Sequence, residues 1–280
     1  DSVPIAQKAR IAMFSLESKA VLITGGGSGI GLATVKRMLA AGAAVAFCNR
    51  SDHSELANRL GATFIRADVT NEQQVQALMH KAYDQIGPLD VLVNNAGVWD
   101  FDCPIATSNT EAFRRDHEVN VMGTLHCIKH GARIMNDGGI IINVSSLAAH
   151  ISVPEYSPYS ASKAGVDTLT RSAAIEFGDR NIRVVSVAPG TVATETLADE
   201  TDSQAEVAAF NRLTPLRRVC EMDEVAAAIH FLASDDCRYI SGSSLLLDGG
   251  MLAGLSVGLC EMLLSADEPT EQHTVDTANT

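Results

Sequence analysis

Between residues 20 and 250, short runs rich in Val, Ile and Ala alternate with longer amphipathic stretches. No other feature of the chain limits its fold as much. An apolar run of five or six residues with no polar alternation is buried on both faces, which is the condition of a strand in a parallel sheet covered by helices above and below. Strands are expected at 20–24, 43–48, 62–67, 91–95, 140–145, 183–188 and 244–248, with helices at 30–41, 52–60, 71–86, 110–136, 158–178 and 221–233. The stretch 104–136 is long enough to lie along the sheet. No repeat or linker divides 20–250, so one α/β domain with a doubly wound, seven-stranded parallel sheet is expected. Right-handed crossovers then bring the loops that follow the strands to one edge, where sheets of this kind bind ligands.

The whole chain has 280 residues and a formal net charge of −13. A single α/β domain commonly runs to about 250 residues, so some excess chain is implied. The acidic balance argues against nucleic acid, which requires a basic face to displace counterions, but it leaves room for one small anion held by local donors. The apolar stretch near the C-terminus, LAGLSVGLCEMLL, contains Glu261 and falls short of the ~20 residues of a spanning helix, so no membrane is expected. The first 18 residues lack a hydrophobic run of signal-peptide character. Six cysteines with no C-x-x-C pair and no Cys/His ligand spacing point to free thiols in a reducing, cytoplasmic setting, with no metal site.

Three motifs carry chemistry. The first strand runs into Thr24-Gly25-Gly26-Gly27-Ser28-Gly29-Ile30-Gly31 and then a helix. Glycines there allow a tight turn, close approach of a pyrophosphate to the main chain, and a helix whose positive end faces the anion. The G-x-G-x-x-G spacing is not met from Gly25, because position 30 is Ile; the setting between first strand and first helix is what points to a dinucleotide. After the second strand comes Asn49-Arg50-Ser51, where a NAD site usually has an acid. A guanidinium there can hold a 2′-phosphate, which favours NADP(H) over NAD(H). The third motif is Tyr159-Ser160-Ala161-Ser162-Lys163 at the start of a helix, whose spacing of four puts phenol and ammonium on one face. Tyrosine titrates near 10, and an adjacent cation has the right sign to favour its phenolate. Such a pair can exchange a proton with a carbonyl or carbinol oxygen, and Ser146, at the end of the fifth strand, would face the same crevice.

Taken in order, TGGGSGIG, Asp68-Val69, Asn94-Asn95-Ala96-Gly97, Asn120, the Ser146/Tyr159/Lys163 set, Pro189-Gly190-Thr191-Val192-Ala193-Thr194 and Asp248-Gly249-Gly250 resemble the short-chain dehydrogenase/reductase family, in its small single-domain branch. The resemblance covers about residues 16–250. It implies a Rossmann-like sheet in the order 3-2-1-4-5-6-7 and an oxidoreductase that moves a hydride between NADP(H) and a carbonyl or secondary alcohol. Tyr159 would be the general acid/base, Ser146 the ligand of the substrate oxygen, Lys163 the ribose clasp and tuner of the tyrosine, and Asn120 the anchor of a water relay. Gly25, Ser28, Gly29, Ile30 and Gly31 would cradle the pyrophosphate, and Asn49, Arg50 and Ser51 the adenosine ribose. Asp68 and Val69 would meet the adenine, Asn95, Ala96 and Gly97 the adenosine half, and Pro189, Gly190, Val192 and Thr194 the carboxamide. Family members usually form homodimers or homotetramers.

Some features depart from the family pattern or stay open. Ser28 stands where many NADP-binding relatives have a base. Arg217-Arg218-Val219-Cys220-Glu221-Met222 lacks the usual glycine near 220 and proline near 222, which bears on a helix entry and on no catalytic group. Asn120 alternatively bridges a helix irregularity, Trp99 lines the pocket or sits half-exposed, and His150 is a solvated loop residue or lies at the pocket mouth. Tyr156 is a rival phenol without a Lys at plus four. NAD-dependent dehydrogenation, a silent dinucleotide sensor, and a non-redox lyase or dehalogenase are the alternative functions; the intact Ser/Tyr/Lys/Asn set and glycine loop speak against the last two. Sugars, steroids, acyl thioesters, cyclic ketones and small aliphatic ketones all remain open as substrates. The segment 195–214 is expected to form a mobile flap. Residues 1–15 form an N-terminal extension and 251–280 a C-terminal one, with an apolar part at 251–264 suited to docking on a neighbouring subunit and a polar, disordered end. The last 30 residues hold five of the 34 acids and none of the 21 Lys and Arg, so over a third of the net charge lies outside the domain.

Overall fold

The computed structural model describes residues 13–99, 104–194 and 201–265, with side chains in the last stretch from 207 to 264. Seven parallel strands, β1 (Ala20–Thr24), β2 (Ala44–Asn49), β3 (Thr63–Arg66), β4 (Leu89–Asn94), β5 (Met135–Val144), β6 (Arg183–Pro189) and β7 (Ser244–Leu247), form one sheet in the order β3-β2-β1-β4-β5-β6-β7. The helices are α1 (Gly29–Ala40), α2 (Ser54–Leu60), α3 (Glu72–Ile86), α4 (Thr110–Asp116), α5 (Gly123–Gly131), α6 (Ser157–Glu176), α7 (Thr201–Leu213), α8 (Met222–Ala233) and α9 (Val257–Ser265). The doubly wound sheet in this order is as expected. Every residue of β1 is buried, as is every residue of β6. Side chains of alternate parity enter separate apolar layers on the two faces, one containing Val21, Ile23, Val93 and Ile142 and the other Leu22, Leu92, Ile141 and Val184. This is why the strand sequences show no polar alternation.

Most element ends fall within a residue or two of expectation, with three departures. The expected helix 110–136 is three pieces: α4, a π turn over His117–Met122, and α5, which ends at Gly131. The chain then enters β5 at Met135, five residues early, and its register against β4 shifts between Leu89 and Val91. Of the expected flap 195–214, residues 195–200 lie outside the described residues, while 201–213 form α7, a helix not among those expected. The third departure is at 251–265, where the chain folds back as α9 onto α7. Ser256 Oγ donates to the Arg212 carbonyl at 2.9 Å and accepts the Leu259 amide at 3.1 Å. One side of α9, a helix not among those expected, thus lies on α7, and Leu255, Val257, Leu263 and Leu264 stay exposed. The N-terminal residues 1–12 and the polar end 266–280 lie outside the described residues.

The missing glycine and proline before α8 are offset locally. Glu221 donates its amide to Glu224 Oε2 at 2.9 Å, and Arg218 grips the same carboxylate through both terminal nitrogens at 2.6 and 2.7 Å. A side chain thus accepts one of the amides that a helix start leaves unpaired.

Truncating Ile141, fully buried in β5, to Ala should cost about 2–5 kcal/mol in equilibrium urea denaturation. Ile175→Ala on α6, where the side chain is 82% exposed, should change stability by less than ~0.5 kcal/mol.

Candidate active site

The order β3-β2-β1-β4 reverses the direction of chain winding between β1 and β4, which opens a crevice at the carboxyl ends of those strands. Two loops close over it. Thr24 Oγ1 accepts the Asn95 and Ala96 amides, both at 3.0 Å, while Asn95 Nδ2 donates to the Thr24 and Gly25 carbonyls at 3.0 and 3.1 Å. The loop after β1 is thereby stapled to the loop after β4. Gly25 has φ +68°, and a Cβ on Gly31 would stand 2.1 Å from the Gly25 carbonyl oxygen. Only glycine lets α1 begin this close to the turn. Ser28, the residue before α1, makes no side-chain cap, and the first turn carries no acid. The amide donors of the helix start therefore remain available to an anion, and the cradle fits the pyrophosphate of a dinucleotide.

At the end of β2, Asn49 Oδ1 accepts the Gly27 amide at 2.8 Å, so this side chain orders the glycine loop instead of merely ending the strand. Arg50 is exposed beside it, and Arg66 Nε donates to the Arg50 carbonyl at 2.8 Å. Sequence reasoning did not single out Arg66. Its signal is the pairing of β2 with β3, which sets Arg66 opposite Asn49. His53, also missed, lies with its ring against Gly27, where any Cβ would come within 2.6–2.8 Å of it, and its Nε2 is 3.0 Å from Ser51 Oγ. Asp68 Oδ1 accepts the Thr70 amide and hydroxyl at 3.0 and 2.8 Å, ordering the loop after β3, and Val69 is buried beside it.

The Ser146/Tyr159/Lys163 set meets at the mouth of the β4–β5–β6 edge. Lys163, buried on α6, donates from Nζ to the Val144 carbonyl at 2.9 Å, and its Nζ sits 5.5 Å from the centre of the Tyr159 ring. Ser146 follows β5 and accepts the Ala148 amide at 3.1 Å. Burial raises the Tyr159 phenol above its ordinary value, the hydrogen bond from Ser146 works against that, and the charge of Asp116 adds to it. Burial also brings Lys163 down to about 8, against the pull of Asp116 and Asp167. The sequence reading expected the cation to favour a phenolate; the shift here runs the other way, with loss of water around the ring as its largest cause.

Asn120 lies in the π turn, 1% exposed. Its Oδ1 accepts the Val98 amide at 2.9 Å, and its Nδ2 donates to the Val98 carbonyl at 2.8 Å and to Ser162 Oγ at 2.9 Å. Asn120 therefore bridges the loop after β4 to α6 at a helix irregularity. One turn earlier on the same face is Asp116, a buried acid that sequence reasoning passed over. His150 is neither simply solvated nor in the cavity: its Nε2 is 3.1 Å from Asp167 Oδ2, and the other oxygen of that buried carboxylate accepts the Ser186 hydroxyl at 2.7 Å.

Ser146, Tyr159 and Lys163 border a cavity of about 360 Å³ whose floor includes Ile30, Asn95 and Gly97 and whose far side is formed by Pro189, Gly190, Thr191, Val192 and Thr194. Gly25, Ser28, Gly29, Gly31, Ala96, Asn49, Arg50, Ser51, Asp68, Val69 and Asn120 do not line it; apart from Asn120, they sit along the same sheet edge toward β3. The outer wall contains residues the sequence did not mark, among them Leu147, Ile151, Val153, Phe210 and Met251, together with Trp99 and the rival phenol Tyr156. Among the described residues, no group of three His, Cys, Asp or Glu could hold a metal ion, and no helix is long and apolar enough to cross a membrane.

A family model described as Enoyl-(Acyl carrier protein) reductase matches residues 25–252. The chain is 39% identical over 244 residues to the cis-4-hydroxycyclohexanecarboxylate dehydrogenase of Sinomonas cyclohexanicum, covering 84% of this chain and 97% of that protein. It is 38% identical over 243 residues to the mitochondrial borneol dehydrogenase of Lavandula x intermedia, covering 84% and 91%. The solved structure of ElxO with NADP bound superposes with a TM-score of 0.80 at 34% identity, over 84% of this chain and 99% of that one. With the strand order, the stapled glycine loop and a family match over most of its length, the chain belongs to the short-chain dehydrogenase/reductase family of oxidoreductases.

Proposed function

We propose that this chain interconverts a cyclic secondary alcohol and its ketone, with NADP(H) as cofactor. The observation that carries the reading is the meeting of Ser146, Tyr159 and Lys163 in one largely apolar cavity that reaches Ile30 in the first turn of the uncapped α1. The relatives whose names specify cyclic alcohols support the ring, and the NADP in ElxO supports the cofactor.

When bound, the cofactor would supply or accept the hydride at its nicotinamide. The glycine-loop amides around Gly25, Ser28, Gly29, Ile30 and Gly31 would hold its pyrophosphate, and Asp68, Val69, Asn95, Ala96 and Gly97 its adenosine half. Arg50, Ser51 and Arg66 would hold a 2′-phosphate, since the Arg66 guanidinium is held on the Arg50 carbonyl at 2.8 Å and the exposed Arg50 side chain stands in the same loop. Pro189, Gly190, Val192 and Thr194 would position the carboxamide.

The Ser146 hydroxyl orients the substrate oxygen. Tyr159, kept neutral by burial, donates its proton to that oxygen in ketone reduction and takes one back in alcohol oxidation. Lys163, still mostly charged at neutral pH, is anchored on the Val144 carbonyl and offers its remaining donors toward the crevice. Asn120 fixes the Val98 backbone and, through Ser162, the first turn of α6.

Tyr159→Phe should lower turnover by ~10²–10⁴-fold, the usual worth of a positioned acid, while the dissociation constant for NADPH, measured by fluorescence, stays within about threefold; near-normal turnover would remove Tyr159 from the role. The double change Asn49→Asp with Arg50→Ile should move kcat/KM toward NADH by more than ~10-fold, because it sets a carboxylate against the 2′-phosphate and removes one guanidinium. For a phenol, burial favours the protonated form, so in cofactor-free protein the phenolate absorbance assigned to Tyr159, as wild type minus Tyr159→Phe, should emerge only above the ordinary tyrosine value near 10. Ionisation below that value would show that Lys163 outweighs burial.

A further inference from the structure

We infer that the cavity selects uncharged, sparsely oxygenated ring compounds and excludes carboxylates; this rests on the proposed oxidoreductase reading of the same site. Apart from Lys163, no described residue lining the cavity carries a charge, and the Lys163 ammonium lies at the Tyr159 end, tied to the Val144 carbonyl at 2.9 Å. The lining also includes Trp99, Leu147, Ile151, Val153, Phe210 and Met251. A substrate that places its one oxygen between Ser146 and Tyr159 therefore lays the rest of its skeleton on aromatic and aliphatic carbon. A carboxylate at the far end of a six-membered ring would lose its water and find no cation, which is among the most costly ways to bury a group.

Long-range electrostatics have the same sign. The chain carries 34 acids against 21 Lys and Arg. The stretches 100–103 and 195–206, which flank Trp99 and follow Thr194 in sequence, contain seven Asp and Glu and no Lys, Arg or His. Those stretches therefore bring no cation to the site, and a net charge of −13 disfavours the approach of anions. A polyol is also a poor fit, since beyond the Ser/Tyr/Lys set and Asn95, Trp99, Ser145, Tyr156, Thr191 and Thr194 the side chains of the lining offer its extra hydroxyls only carbon or sulfur. The relative from Sinomonas cyclohexanicum is named for an anionic ring acid, so this inference separates the present chain from that relative within the class of cyclic alcohols.

Trp99 is the only tryptophan in the chain and lines the cavity, so its fluorescence reports ligand binding independently of turnover. The test uses the full chain at pH 7, with and without saturating NADP⁺, titrated with 4-oxocyclohexanecarboxylate, its methyl ester and glucose. The ester and the acid share one skeleton and differ chiefly in charge. The ester should change Trp99 emission saturably and bind at least 100-fold more tightly than the acid or glucose, and NADPH-dependent reduction should show the same ranking in kcat/KM. Equal binding of acid and ester, tight binding of glucose, or no response to the ester in either condition would overturn the inference. Tight, ester-selective binding with no NADPH oxidation would leave the pocket assignment standing and remove the oxidoreductase reading beneath it.

Discussion

Helix α6 bears Tyr159 and Lys163, and a chain of buried hydrogen bonds fixes it to the carboxyl edge of the sheet. Asn94 Nδ2 donates to Asn143 Oδ1 across β4 and β5, Asn143 Nδ2 donates to Thr170 Oγ1 on α6, Asn120 Nδ2 donates to Ser162 Oγ, and Lys163 Nζ ends on the Val144 carbonyl. Each link lies among apolar side chains, where an unmade bond would cost the full desolvation of its groups. The network therefore permits little sliding of α6 along the sheet, and the position of Tyr159 relative to Ser146 follows from it. The π turn at His117–Met122 belongs to the same arrangement, because it brings Asn120 to both Val98 and Ser162.

Burial governs the electrostatics of the site more than pairing does. Lys163 and Tyr159 are close enough for the ammonium to lie over the ring edge, yet desolvation shifts both toward their neutral forms. Two buried acids act on Lys163 in the opposite sense: Asp116 from the end of α4 and Asp167 one turn along α6, the latter tied to His150 and Ser186. Asp116 keeps Lys163 more basic and also makes Tyr159 harder to ionise. A charged lysine beside a neutral phenol is an arrangement suited to giving a proton to a carbonyl oxygen.

The legible parts of the sequence were those with a local physical rule. Strands buried on both faces need continuous apolar runs, so β1, β4 and β6 could be read directly. A glycine is needed where α1 meets the turn after β1, and a spacing of four on one helix sets Tyr159 and Lys163 on one face. The illegible parts depend on neighbours distant in the chain. Leu147, Ile151, Phe210 and Met251 look like ordinary hydrophobic residues until folding gathers them round one cavity. Arg66 joins Arg50 only because β3 lies beside β2, and Asp116 looks like a surface acid on an amphipathic helix until the π turn rotates that helix inward.

By itself, then, the sequence determined the sheet, its strand order through family resemblance, the glycine turn before α1 and the placing of Tyr159 and Lys163 on one helix face, because periodicity, glycine sterics and helix spacing act over a few residues. Tertiary structure alone decided the protonation preferences and the lining of the cavity. The sign of the Tyr159 shift is set by how much water the fold removes around it, and the apolar wall is assembled from the loop after β4, the loop after β5, α7 and the segment after β7. The placing of the C-terminal segment was decided in the same way: nothing local in its apolar run says that it meets α7, the helix that carries Phe210 to the cavity.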